Sequence, residues 1–257
     1  MRNFVIGCVV FFTVTGTAYC ETKEPPKKLA VDLGGGVKLE MVLIPAGSFT
    51  MGDERDKSAP KVTITKPFYL GKYEVTQEQW EAVMGSNPSH FKGPKNPVEQ
   101  VSWDNCQQFL AKLNAKSGGQ GGKFVLPTEA QWEYACRAGS AGKFCFGDDD
   151  RQLGEYAWYG PNSDGKTHPA GEKKPNAWGL YDMHGNVYEW CQDWHGAYGA
   201  GAVNDPTGPT TGSARVFRGG GFLYGCWICQ SAPRFSNVPG ARSRNLGWRV
   251  ARVPADK

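Results

Sequence analysis

From Gly139 to the C-terminus the chain rarely runs more than five residues without meeting Gly, Pro, Asn or Asp. These residues punctuate turns: Gly supplies left-handed backbone, Pro fixes φ, and Asn and Asp bond their own main chain. Segments this short cannot build helices of ordinary length, about 11–12 residues. They predict short strands joined by a large amount of ordered loop. Composition agrees, since 34 Gly and 17 Pro make up about a fifth of the 257 residues. Aromatic residues reach 12%, nine of them Trp, and give such a chain enough apolar surface to bury.

Other classes fall away quickly. A mean hydropathy of −0.49 excludes a polytopic membrane protein. The net charge of +4 is spread over 29 basic and 25 acidic residues that interleave, so no nucleic-acid partner is expected. The first half is more regular. Residues 38 to 51 alternate imperfectly and end in Gly47-Ser48, which predicts a hairpin. Val62-Thr63-Ile64 and Phe68-Tyr69-Leu70 are short strand candidates. Thr76 with Gln79, and Thr128 with Gln131, are capping boxes that start helices, and Ser102 caps another whose apolar residues Cys106, Phe109, Leu110 and Leu113 keep helical spacing. One α+β domain over residues 37–254 is predicted.

The first twenty residues read differently. Arg2, the apolar run Phe4 to Val14 and the small residues Thr15 to Ala18 describe a secretory signal, with cleavage after Ala18 or lipidation at Cys20 as alternatives. Residues 21–36 read as a polar, Pro-stiffened linker. The expected location is therefore periplasmic, cell-surface or secreted, with membrane contact only through a lipid anchor at Cys20. Export leaves six cysteines, Cys106, Cys136, Cys145, Cys191, Cys226 and Cys229, with fifteen possible pairings in an oxidising compartment.

Irregular backbone needs partners for its buried N–H and C=O groups. Asp182 and Glu189 flank glycine-bearing backbone with free carbonyls, which suits a hard cation such as calcium; a tight turn with Glu189 on backbone amides is the alternative. Cys226-x-x-Cys229 can be a redox disulfide, a copper(I) clasp or a structural pair. The four histidines show no metal-ligand spacing, and there is no Gly-x-Ser-x-Gly elbow, phosphate loop or His-Glu-x-x-His.

Seven ordered segments carry a resemblance: MVLIPAGSFTMG (41–52), YEVTQEQW (73–80), NPVEQVSWDN (96–105), LPTEAQWEYACRAG (126–139), NAWGLYDMHGNVYEWCQDW (176–194), RVFRGG (215–220) and NLGWRVAR (245–252). In these the chain resembles the formylglycine-generating enzyme (sulfatase-modifying factor) family. The resemblance implies a loop-rich α+β fold of the C-type lectin-like type. It also implies a structural calcium on the Asp182 and Glu189 side chains with the Gly185 and Val187 carbonyls, Asp182 standing where the family has Asn. Catalytic members oxidise a sulfatase cysteine with oxygen and copper(I) held by two thiolates after a Gly-Gly-Ser. Here that serine is Gly221, the cysteine pair is Cys226 and Cys229 at a shortened spacing, and the motif's tryptophan is Tyr188. These departures argue against the oxidase activity; were it retained, Cys226 and Cys229 would be its metal ligands.

The stretch from 219 to 245 takes on another look. Phe222, Leu223, Tyr224, Trp227, Ile228, Phe235, Ser236, Val238, Arg242, Ser243 and Arg244 mix large rings and Arg with small polar residues, as recognition surfaces do. The pattern is similar to the variable region of diversity-generating-retroelement proteins, which share this lectin-type fold. An exported, non-catalytic protein that grips an extracellular ligand, most simply another protein, is the expectation.

Overall fold

Local chemistry sets the helices of the computed structural model, which describes residues 27–53, 59–118, 121–199 and 201–254. The secretory signal and Cys20 lie outside the described residues. Three reciprocal capping boxes start α1 (Gln77–Met84), α2 (Trp103–Ser117) and α3 (Glu129–Arg137): Thr76 with Gln79, Ser102 with Asn105, Thr128 with Gln131. Each box satisfies two N–H groups that the first turn leaves without partners, and each cap is worth about 1 kcal/mol. All three helices stop at a left-handed residue, Gly85, Gly118 and Ala138. A single turn, α4 (Leu153–Tyr156), follows.

Three small sheets surround these helices. Strands β1 (Lys28–Gly34), β2 (Val37–Ile44), β5 (Phe68–Gly71), β12 (Ala251–Val253) and β6 (Lys123–Val125) form a five-stranded antiparallel sheet in that order. A second sheet has the order β10 (Phe235–Asn237), β9 (Arg215–Arg218), β7 (Tyr188–Trp194), β11 (Leu246–Gly247). A third holds β3 (Gly47–Thr50), β4 (Lys61–Ile64) and β8 (Ala202–Asn204).

Two expectations change. The hairpin over 38–51 is not formed: β2 pairs with β1 and β5, and β3 pairs with β4 in another sheet. Pro45-Ala46 breaks the strand, and the chain crosses from one sheet to the next. The linker over 21–36 is partly strand, because β1 takes Lys28–Gly34 and pairs with β2 from Lys28↔Val42 onward. At the centre of one core Trp80 stacks on Phe109 and Phe109 meets Trp248 edge to face, with centroids 5.4 and 5.1 Å apart. A second core gathers around Trp132 and Ala135 of α3, Val216 of β9 and Cys191 of β7. No described helix is long and apolar enough to cross a membrane.

Candidate binding face

Strands β7 and β9 separate two chemistries by alternation alone. On one side Tyr188 sits between Phe217, Tyr224 and Phe235, at centroid distances of 4.9, 5.1 and 5.4 Å. Trp190 meets Phe217 edge to face, and Arg215 is sandwiched between Trp103 and Trp194. On the other side Glu189 and Arg218 face α3.

The aromatic side opens on the segment expected to bind ligand. Leu223, Trp227 and Val238 are exposed at 42%, 62% and 55%, and Arg242 and Arg244 are exposed beside them in sequence. They belong to two loops, 222–229 and 238–245, tied together where Asn245 Nδ2 donates to the Tyr224 hydroxyl at 2.7 Å. Tyr224, Phe235 and Ser236 are half-buried beneath. The loops are held rigidly. Ile228 N–H donates to Gly225 O, Cys229 N–H to Cys226 O, and Gln100 N–H to Ser243 O. A Cβ on Gly220, which has φ 76°, would fall 2.7 Å from Cys229 Sγ, so only glycine fits this turn.

Phe222 and Ile228 do not belong to the surface. Phe222 is fully buried, edge-on to Phe91, with its N–H on Asn186 O and its carbonyl accepting from Ser163 Oγ at 2.6 Å. Ile228 joins the main core. Alternation cannot be read in a segment made of turns, and these two side chains anchor the loop from below.

The residues expected to hold calcium lie in a buried acidic cluster. Asp182, Glu189 and Glu74 surround one cation, Arg249, and all four are buried. Arg249 clasps Glu189 with two bonds of 2.6 Å, and Trp132 Nε1 donates to the same carboxylate at 2.7 Å. Glu74 accepts from Asn186 Nδ2 and Val187 N–H. Asp182 accepts from Gly171 N–H on one oxygen, while its Oδ1 is buried with no hydrogen-bond partner. Burial, then the neighbouring carboxylates, push Glu74 well up from its ordinary value, and burial pushes Asp182 to about 6. With all three carboxyl groups ionised, one guanidinium would leave two negative charges unbalanced, and Glu74 and Asp182 hold their protons more tightly here. A buried oxygen without a donor is costly. Both features fit a hard divalent cation. Only two of the four expected ligands are side chains; among the described residues no three His, Cys, Asp or Glu side chains gather into a metal site by themselves.

The cysteines of the described residues are all free thiols. Cys229 is buried, and burial pushes its thiol up to about 12. Cys226 is half-buried, its Sγ 3.6 Å from Asp150 Oδ2. Copper(I) binds the thiolate, and the Cys229 environment opposes that form.

Sequence reasoning missed Glu74, Arg249 and a ladder of buried charges behind α3. Arg137 and Arg218 both bond Glu133, and Arg218 and Arg234 both bond Glu129. Lone acids and bases flanked by apolar residues, such as Glu74 between Tyr73 and Val75, were the available signal.

The chain matches the sulfatase-modifying factor enzyme 1-like domain family over residues 36–254. It is 33% identical to the chaperone protein LppX of Paenibacillus barcinonensis, covering 87% of this chain and 89% of that one. Identity to the formylglycine-generating enzyme of Streptomyces coelicolor is 38%, over 69% of this chain and 59% of the enzyme. Among solved structures, Treponema denticola variable protein 1 superposes with a TM-score of 0.83 and 34% identity, covering 90% of this chain and all of that one. By motif order, fold and extent of match, the chain belongs to the sulfatase-modifying factor enzyme 1-like domain family.

Proposed function

We propose that this is an exported, non-catalytic receptor that grips an extracellular protein through the loops 222–229 and 238–245. The observation that carries the reading is Trp227, 62% exposed on a loop whose neighbours Phe222 and Ile228 are locked into the interior. A large ring held out on rigid backbone loses little entropy on binding and suits an interface anchor, worth roughly 2 kcal/mol or more. Leu223 and Val238 extend the apolar area, and Arg242 and Arg244 supply forked donors for carboxylates or carbonyls. Likeness to a variable protein over nearly the whole chain supports diversification of these loops. A lipid anchor at Cys20 would hold the domain on a membrane surface.

Calcium has a structural part in this proposal. Asp182 and Glu189, with the Gly185 and Val187 carbonyls, would hold it, and it would supply the positive charge that the cluster lacks. The family's oxidase chemistry is the second reading, favoured by 38% identity to an enzyme that performs it. Against it stand Gly221 in the place of serine, Tyr188 in the place of tryptophan, and a Cys229 thiol disfavoured as thiolate.

A photo-crosslinking residue at position 227, in cells that make the protein, tests the proposal. A discrete protein adduct lost in Arg242→Glu/Arg244→Glu is expected; an adduct indifferent to those changes, or none, contradicts it. Copper(I) titration of reduced protein should give no tight complex. Stoichiometric binding abolished by Cys226→Ser would establish the oxidase reading instead.

A further inference from the structure

On the far side of the β7–β9–β10 sheet from the aromatic face lies a cavity of about 480 Å³. It opens between the third sheet, the start of α3 and the residues 196–199 and 206–209. The volume falls within the range of small-molecule sites, about 300–1,000 Å³. Its walls are mainly apolar, formed by Met51, Val62, Val203 and Pro209. Three side chains that carry charge share the lining and set the chemistry, Arg234, Glu129 and Asp193.

Arg234 is held by three of its five N–H groups. Its Nε and Nη2 donate to Glu129 at 2.8 and 2.6 Å, and its Nη1 donates to Gly196 O at 2.7 Å. The guanidinium lies 4.2 Å from the centre of the Tyr198 ring, whose hydroxyl also reaches Glu129. It is nonetheless one-fifth exposed, and it lines the cavity. A guanidinium held in this way, with Tyr198 over one face, has its other face to offer, and that surface stacks on rings. Asp193 is likewise engaged, accepting from Glu129 N–H at 2.8 Å.

Charge excludes the other ligand classes. Among the described lining residues the charged side chains are Glu129, Asp193 and Arg234, and Arg234 is already paired with Glu129. An anion meets the Glu129 and Asp193 carboxyl groups and finds three of the five Arg234 N–H groups already engaged, and a cation meets the guanidinium. We propose that this cavity binds an uncharged, planar aromatic small molecule, laid against the Arg234 guanidinium and enclosed by Val62, Val203 and Pro209. The site is separate from the loops that present Trp227 and does not depend on their function.

The test is a fluorescence titration of the purified protein with N-phenyl-1-naphthylamine, an uncharged aromatic probe. One saturable site per chain is expected, with the dissociation constant raised at least tenfold by Val203→Trp, which fills the cavity, and also raised by Arg234→Met. Trp227→Ala should leave it unchanged. Indole should displace the probe where benzoate and benzylamine at equal concentration do not, a readout that needs no variant to fold. Unaltered binding in a folded Val203→Trp protein, loss of binding in Trp227→Ala, or displacement by all three competitors or by none, overturns the proposal.

Discussion

Arg218 and Phe217 are adjacent in β9, yet they live in opposite worlds. Arg218 is fully buried among Glu129, Glu133 and the Ala232 and Pro233 carbonyls. Phe217 belongs to a ring cluster whose outer members, Tyr224 and Phe235, are half-exposed and support the loops bearing Trp227. Hydrogen bonds and paired charges define the first side, and the ion pairs of Arg218, Arg234 and Arg249 join residues far apart in the chain. Exposed apolar side chains and the exposed Arg242 and Arg244 define the second. One strand thus divides a side of buried charge from a side of rings that carries the exposed loops, a division the proposed receptor role would use.

The comparison is sharpest where a charge is removed. Arg218→Met removes the buried cation shared by Glu129 and Glu133, leaving each with one arginine, and should cost about 3–5 kcal/mol, or prevent folding, as read by denaturant unfolding. Phe222→Ala tests the same division within the binding loops: a fully buried ring lost from beneath them should cost about 3–5 kcal/mol.

The pH dependence comes next. Burial raises Asp193 from an ordinary 3.8 to about 7. A carboxyl raised in the folded state keeps its proton longer there than in the unfolded chain. Its contribution is therefore full below about pH 4 and lost as pH climbs towards 7. At about 1.4 kcal/mol per unit the loss is on the order of 4 kcal/mol, and Asp193→Asn should flatten that slope of stability against pH.

Chelation should have a smaller effect. With calcium at a hundred times its dissociation constant, EDTA would remove about 3 kcal/mol, lowering the melting temperature by several degrees. Asp182→Ala should abolish that response. The smallest changes belong to the open side, where Leu223→Ala and Trp227→Ala should each shift stability by less than about 0.5 kcal/mol.

Much of the scaffold was legible because its determinants are local. Thr76, Ser102 and Thr128 announce three helices through partners three residues away, and the motif order fixes family and fold. The crossing at Pro45-Ala46 was not legible, since a strand that stops and changes sheets alternates like one half of a hairpin. The binding loops were read in part. Residue type marked the segment, but turns have no period, so Phe222 and Ile228 could not be told from Leu223 and Trp227. The charge ladder was invisible for another reason: Arg218 and Glu133 are 85 residues apart, and Arg234 and Glu129 are 105 apart.

The central claim is that the loops above the aromatic cluster are free to vary while the sheet beneath them is not. Saturation mutagenesis of residues 215–249, with protease resistance of the displayed protein as the readout of folding, tests it most directly. Positions 223, 227, 238, 242 and 244 should accept nearly every residue, while 218, 220, 222 and 249 accept almost none. Intolerance at Trp227 and Leu223 equal to that at Arg218 would mean that these side chains serve the fold, and the receptor reading would be wrong.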